Sequence, residues 1–69
     1  MFAKELTQAG HVRRFIITDS DAEGWELREE EDSAVVRRVR YTDWHRVERA
    51  LAGIDLRVHD LEARGWRAP

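Results

Sequence analysis

The C-terminal half of the chain carries an apolar stripe with helical spacing. The stripe consists of Trp44, Val47, Leu51, Ile54, Val58 and Leu61, at intervals of 3, 4, 3, 4 and 3 residues. This spacing places one continuous apolar face on an α-helix. Thr42 and Asp43 precede the stripe as N-cap residues and Gly65 follows it as a C-terminal cap. The pattern therefore predicts one amphipathic helix over about 43–64.

An apolar helical face has to be buried, and the sequence leaves two ways to bury it. The helix covers a sheet formed by the preceding residues, or it pairs with a helix of a second copy. Both hold together if one side of the helix meets the sheet and the other meets the partner. The apolar surface is large for 69 residues, and we expect a homodimer. The residues expected at its interface are Trp44, Leu51, Val58 and Trp66.

Three stretches before the helix have the composition of β-strands. Residues 11–18 are rich in Val, Phe and Ile, and residues 25–31 and 35–42 alternate between two faces. Turn residues separate them, at 19–21 and at 32–33.

Residues 2–7 admit two interpretations, a further strand at the sheet edge or a frayed helical turn. The alternation of Phe2, Lys4 and Leu6 favours the strand. The predicted fold is a single α+β domain over residues 1–69. It is an antiparallel meander of three or four strands packed on one long C-terminal amphipathic helix.

Side-chain parity constrains the hairpin of residues 25–42, because a slip of one residue moves every side chain to the other face. The predicted pairs are Trp25 with Tyr41, Leu27 with Val39, Glu29 with Arg37 and Glu26 with Arg40. In this interpretation Val35, Arg37, Val39 and Tyr41 share one face.

Charge is distributed unevenly along the chain. The formal net charge is -2, but residues 19–32 hold eight acidic side chains and residues 33–49 hold five arginines. We interpret the two segments as neighbouring strands whose charges neutralise each other. The overall balance argues against a domain held on nucleic acid by charge alone.

Single-stranded nucleic-acid binding is the alternative function. Arg38 and Arg40 are expected on the sheet face away from the helix, with Arg14 nearby. Arginines on an open sheet favour contact with a single strand, above all when aromatic side chains join them. Glu26 and Glu30 are expected on the same face and would repel phosphate.

Catalytic and metal-binding chemistry finds little support in the sequence. There is no cysteine, which excludes disulfides and thiolate metal sites. His45 and His59 are separated by about 21 Å along one helix, too far to share a metal. Ser20 and Ser33 lack the context of a catalytic nucleophile, and no glycine-rich phosphate loop is present. We predict no catalytic residues, no cofactor and no metal, and hence no enzymatic activity.

The first residues, Met1 to Leu6, contain no apolar signal region, and the longest apolar run is Phe15–Ile17. These features predict a cytoplasmic protein without membrane association.

Two resemblances add to this interpretation. The stretch Tyr41–Arg49, together with Gly24-Trp25 and Gly65-Trp66, resembles a group of small uncharacterised bacterial proteins. That resemblance covers most of the chain and implies no activity. The layout of a four-strand meander and a C-terminal helix is similar to one unit of the Pur-type and Whirly-type single-strand-binding proteins, and it implies self-association. The leading prediction is a non-catalytic interaction module that forms a homodimer and docks a protein partner of unknown identity.

Overall fold

The computed structural model describes residues 2–20 and 24–69 and contains one sheet and one helix. The strands are β1 (Phe2–Gln8), β2 (His11–Ser20), β3 (Gly24–Glu31) and β4 (Ala34–Tyr41), and the helix α1 spans Trp44–Ala63. Neighbouring strands are antiparallel in the order β1-β2-β3-β4. The α+β prediction is confirmed, and residues 2–7 form an edge strand. Asp21 of the predicted turn at 19–21 lies outside the described residues.

Two of the strand connections are two-residue turns. Ala9 and Gly10 join β1 to β2 with φ of 50° and 82°, and Asp32 and Ser33 join β3 to β4 with φ of 50° and 71°. Positive φ at both central residues is the signature of a type I′ turn, whose twist matches that of the flanking strands. These turns fix the register of both hairpins.

A β-bulge reconciles the β3–β4 turn with the predicted pairs. The register contains every pair expected from the sequence, with Trp25 opposite Tyr41 and Glu29 opposite Arg37. The two-residue turn, however, places Ala34 opposite Glu31, which requires one more residue in β4 than in β3. Val36 is that extra residue. The bulge moves Val35 to the opposite face, opposite Glu30, so the prediction that Val35 shares a face with Arg37 is wrong.

The hydrophobic core lies between α1 and the first three strands. Its buried residues are Leu6, Phe15, Ile17 and Leu27 from the sheet and Val47, Ile54, Val58 and Leu61 from the helix. β4 contributes no buried residue, and its Tyr41 only packs against the margin of the core. The buried core is therefore built from α1 and the first three strands, and β4 adds only the half-buried Tyr41 at its margin.

The chain after the helix returns to the sheet. Asp43 caps the start of α1, where its side chain accepts a hydrogen bond of 2.9 Å from the His45 N–H. At the other end, Gly65 adopts φ of 101°, and the Trp66 N–H donates to the Leu61 carbonyl at 3.0 Å. This Schellman motif turns Trp66 onto the core and directs the last residues along β1.

Candidate interaction surface

The outer face of the sheet, away from α1, is a network of paired charges. Arg14, predicted to bind nucleic acid, lies 2.6 Å from Glu5 and 3.8 Å from Glu30. Arg38 lies 3.7 Å from Glu26, measured from Nε to Oε1. These carboxylates belong to neighbouring strands, so the arginines are engaged across the sheet.

The remaining outer-face cations, Arg40 and Arg28, are also engaged. Arg40 is opposite Glu26 in the strand register and also has an interaction partner. Arg28 Nε lies 2.9 Å from Glu30 Oε2, although its N–H is not aligned for a hydrogen bond. The fold thus brings all three predicted nucleic-acid residues to one face. Trp25 and Tyr41 lie on the opposite, inner face, so this face has no aromatic platform among the described residues.

Among the residues that the structure describes, one charged side chain is buried, and it lies on the inner face of the sheet. Glu29 has a relative exposure of 7%, and both Arg37 of β4 and Arg57 of α1 contact its carboxylate. The Arg57 guanidinium also lies over the Phe15 ring, 5.3 Å from the ring centroid. Removing Glu29 would leave two cations at the core margin without this partner, so the cluster ties β4 and the helix to the centre of the sheet. The cluster contains one more cation than anion, because two guanidinium groups share one carboxylate. This excess of positive charge is relevant to what the surface can bind.

A groove separates β4 from α1 on the inner face. Its volume is about 170 Å³. It is lined by Leu27, Glu29, Arg37, Tyr41, Ala50, Gly53, Ile54 and Arg57. A Cβ atom added at Gly53 would meet no heavy atom within 4 Å. The glycine in the middle of the helix is therefore not required for packing within the chain, and the side of α1 that carries Gly53 faces open space.

The β4 strand itself is open along its outer edge. No described residue pairs with that edge, and the first five residues of β4, Ala34 to Arg38, are all exposed. Val35 and Val36 have relative exposures of 46% and 54%. We call the strand β4 together with the adjoining groove the β4 edge surface. An unpaired strand edge presents backbone N–H and C=O groups that can accept a further strand.

The opposite edge of the sheet is different, because the C-terminal tail covers part of it. The Thr7 N–H donates to the Arg67 carbonyl at 2.8 Å, and the Arg67 N–H donates to the Thr7 carbonyl at 3.0 Å. The Gln8 side chain also donates to the Arg64 carbonyl at 2.8 Å. These contacts use backbone groups of β1 that a partner strand would need.

The predicted self-association residues occupy several different environments. Val58 is buried in the core, and Leu51 and Trp66 are half-buried against it. The Trp66 ring also lies 5.5 Å from the Arg13 guanidinium. Trp44 is 48% exposed and packs against Trp25 in a tilted arrangement, with ring centroids 5.2 Å apart. Of the four, Trp44 presents the most surface to a partner.

The described residues contain no cluster of three or more His, Cys, Asp or Glu side chains that could hold a metal ion. His45 and His59 are both exposed on α1, and His45 Nδ1 lies 3.4 Å from Glu48. Within the same part of the chain, no helix has the length and apolar character needed to span a bilayer.

The sequence pointed to the arginines of the β4 edge surface but not to the surface itself. The signal was present in the order of the elements, since a meander leaves its first and last strands at the edges. What was missing was the position of the helix and of the tail.

A scan against models of protein families found no match to this chain, and searches of curated proteins and of solved structures found none either.

Proposed function

We propose that this chain is a small, non-catalytic interaction module that docks another protein chain at the β4 edge surface. The observation that carries the proposal is the combination of the unpaired edge of β4 with the groove beside it. Strand addition to an exposed edge is a common mode of peptide recognition, in which backbone hydrogen bonds supply affinity and side-chain pockets supply specificity.

The geometry of the surface fits this mode of binding. A strand added to β4 would place alternate side chains over the groove, next to Ala50 and Gly53. The bulge at Val36 interrupts the regular register of β4 near the β3–β4 turn, so the regular part of the edge covers about 37–41. A short extended segment therefore suffices to cover it.

The non-catalytic part of the proposal rests on how the charged groups are used. The carboxylate that borders the groove, Glu29, is engaged by Arg37 and Arg57. A general acid or base needs a positioned group within reach of a substrate proton. In this groove the carboxylate instead holds two structural elements together.

Titration with a panel of strand-forming heptapeptides tests the proposal. Two-dimensional amide NMR spectra would be recorded while neutral, acidic and basic peptides are added to millimolar concentration. We expect at least one peptide to shift the amides of β4 and of α1 around Gly53 and to leave β1 unchanged. The absence of any such shift, in a protein that sediments as a monomer at the same concentration, would refute the proposal.

Single-stranded nucleic-acid binding by Arg14, Arg38 and Arg40 stays a prediction with less support. Arg14 and Arg38 already contact carboxylates of neighbouring strands, and phosphate would have to compete with them. Fluorescence anisotropy with single-stranded and duplex oligonucleotides at about 50 and 200 mM salt separates the two functions. Tight binding that weakens steeply with salt would favour nucleic acid over a protein partner.

A further inference from the structure

We infer that the partner of the β4 edge surface is an acidic, extended segment of another protein that adds to β4 as a fifth strand. This inference rests on the proposed function and specifies its ligand. It follows from the charge of β4, from the strand that β4 already accepts on its other side, and from the shape of the groove.

β4 carries three arginines and no acidic residue. The side chains of Arg37 and Arg38 are 53% and 56% exposed, and each contacts a carboxylate of β3. Neither carboxylate serves one arginine alone, because Glu29 is shared with Arg57 and Glu26 also lies 4.0 Å from Arg28. The positive charge of β4 is thus only partly neutralised within the chain, and it faces an edge that can accept a strand.

β3 shows which strand β4 accepts. Going along β3, the residues opposite Tyr41, Arg40, Val39, Arg38 and Arg37 are Trp25, Glu26, Leu27, Arg28 and Glu29. Apolar residues face the inner positions 39 and 41, carboxylates face positions 37 and 40, and the like-charged Arg28 faces Arg38. A strand on the free edge meets the same arginines from the other side, and cross-strand pairs of opposite charge are favourable.

The side-chain pattern of the partner follows from this register. Written in the antiparallel direction, β3 predicts apolar, acidic, apolar and acidic residues opposite positions 41, 40, 39 and 37. Opposite Arg38, where β3 places Arg28, we expect a further acidic residue because an opposite-charge pair is favourable there and a like-charge pair is not. Its apolar side chains would lie over the groove, where the open space at Gly53 accommodates them. Its acidic side chains would reach Arg37 on the inner face and Arg38 on the outer face.

A second copy of the chain fits this surface less well. Two β4 strands that pair about a twofold axis would bring the arginines of both copies onto adjacent strands. Like charges on neighbouring strands are destabilising, and charged edge strands with bulges are a common device against self-pairing. At this surface, charge complementarity therefore favours an acidic partner over a second β4 strand.

Four peptides test the inference. The acidic peptide is Ac-TVEVEET-NH2, and its neutral and basic counterparts are Ac-TVQVQQT-NH2 and Ac-TVKVKKT-NH2. A fourth peptide, Ac-TVEPEET-NH2, keeps the acidic charge and interrupts strand pairing with proline. We expect the acidic peptide to bind β4 at least about fivefold more tightly than the neutral one, because favourable charge pairs on adjacent strands add to its affinity. The basic and proline peptides should show no binding at β4.

Two variants of the protein serve as a matched pair. Arg38→Gln removes a cation of the open edge, and Arg14→Gln removes a cation of similar exposure on the interior strand β2. We expect Arg38→Gln to lower the affinity for the acidic peptide by about threefold, in line with the loss of one cross-strand pair. Arg14→Gln should leave the affinity unchanged while both variants keep the amide spectrum of the folded protein.

The outcomes separate this inference from the proposed function. Equal binding of the neutral or basic peptide would overturn the acidic partner and leave the docking surface in place. Equal binding of the proline peptide would show attraction by charge without strand addition and would overturn the inference. A concentration-dependent dimer with protected β4 amides would identify a second copy as the occupant. No binding of any peptide to a monomeric protein would refute both proposals.

Discussion

The two edge strands of the sheet, β1 and β4, are finished in different ways. β1 places Leu6 in the core with 0% exposure, and the backbone of Thr7 is paired with Arg67. β4 has no buried residue, and its edge is limited only by a bulge and by arginine side chains. An edge covered by backbone contacts contributes to stability, whereas an edge protected by charge remains available to a partner of opposite charge.

The largest expected effect breaks the packing of β1. Leu6→Ala should lower the free energy of unfolding by about 3 kcal/mol, because it leaves a cavity between the sheet and α1. The matched change in β4, Val36→Ala, should cost no more than about 0.5 kcal/mol, since Val36 is exposed. Urea denaturation measures both. Equal losses would show that the two edges contribute alike to stability.

The tail that covers β1 provides the second test. Trp66→Ala should cost about 2 kcal/mol, because a half-buried aromatic ring leaves the core and the Arg13 guanidinium. The Thr7 amide should then lose protection in hydrogen exchange, since its acceptor is the Arg67 carbonyl. Trp44→Ala is the control, with an expected cost of about 1 kcal/mol from its contact with Trp25. Unchanged protection of the Thr7 amide would show that Trp66 is not needed to hold the C-terminal tail on β1.

Gly53 tests whether the groove beside β4 is empty in the free protein. Gly53→Ala should raise the free energy of unfolding by about 1 kcal/mol, because alanine has the higher helix propensity and its methyl group meets open space. The reverse change at a neighbouring exposed site, Ala52→Gly, should lower it by a similar amount. Thermal or urea unfolding tests both. A destabilised Gly53→Ala monomer would mean that the groove is already filled.

The smallest effect concerns the turn that ends the open hairpin. The His11 side chain and, secondarily, the Val12 N–H bond to Asp32 and lower the pKa of this carboxyl below its ordinary value of 3.8. A lowered pKa in the folded state stabilises the fold above pH 3.8, and this contribution is lost as the pH falls through the folded pKa.

Asp32→Asn tests this turn contribution because asparagine tolerates the positive φ of the position. The variant should be slightly less stable than the parent chain at about pH 6, and the difference should shrink as the pH falls below the ordinary carboxyl pKa. Unfolding curves over the acid range measure it. A difference that stays constant with pH would assign the effect to the shape of the turn rather than to its charge.

Local rules in the sequence were sufficient for the elements and for much of their pairing. The apolar stripe, Asp43 and Gly65 set the limits of the helix, because capping and periodicity act within a few residues. Parity constrained the pairs of β3 with β4, since a slip of one residue would move their apolar side chains to opposite faces. The bulge was missed because the alternation and the two-residue turn each satisfy a local rule, and only their combination requires an extra residue.

The sequence by itself determined an α+β meander with one helix and neighbouring acidic and basic strands. Only the tertiary structure decided which edge of the sheet is open. The closing contact between Thr7 and the Arg67 carbonyl joins residues 60 positions apart, and the buried core joins residues of α1 to residues of three of the four strands. The physical reason is that periodicity, capping and turns depend on neighbouring residues, whereas the placement of a tail and a helix depends on how distant side chains fill one core.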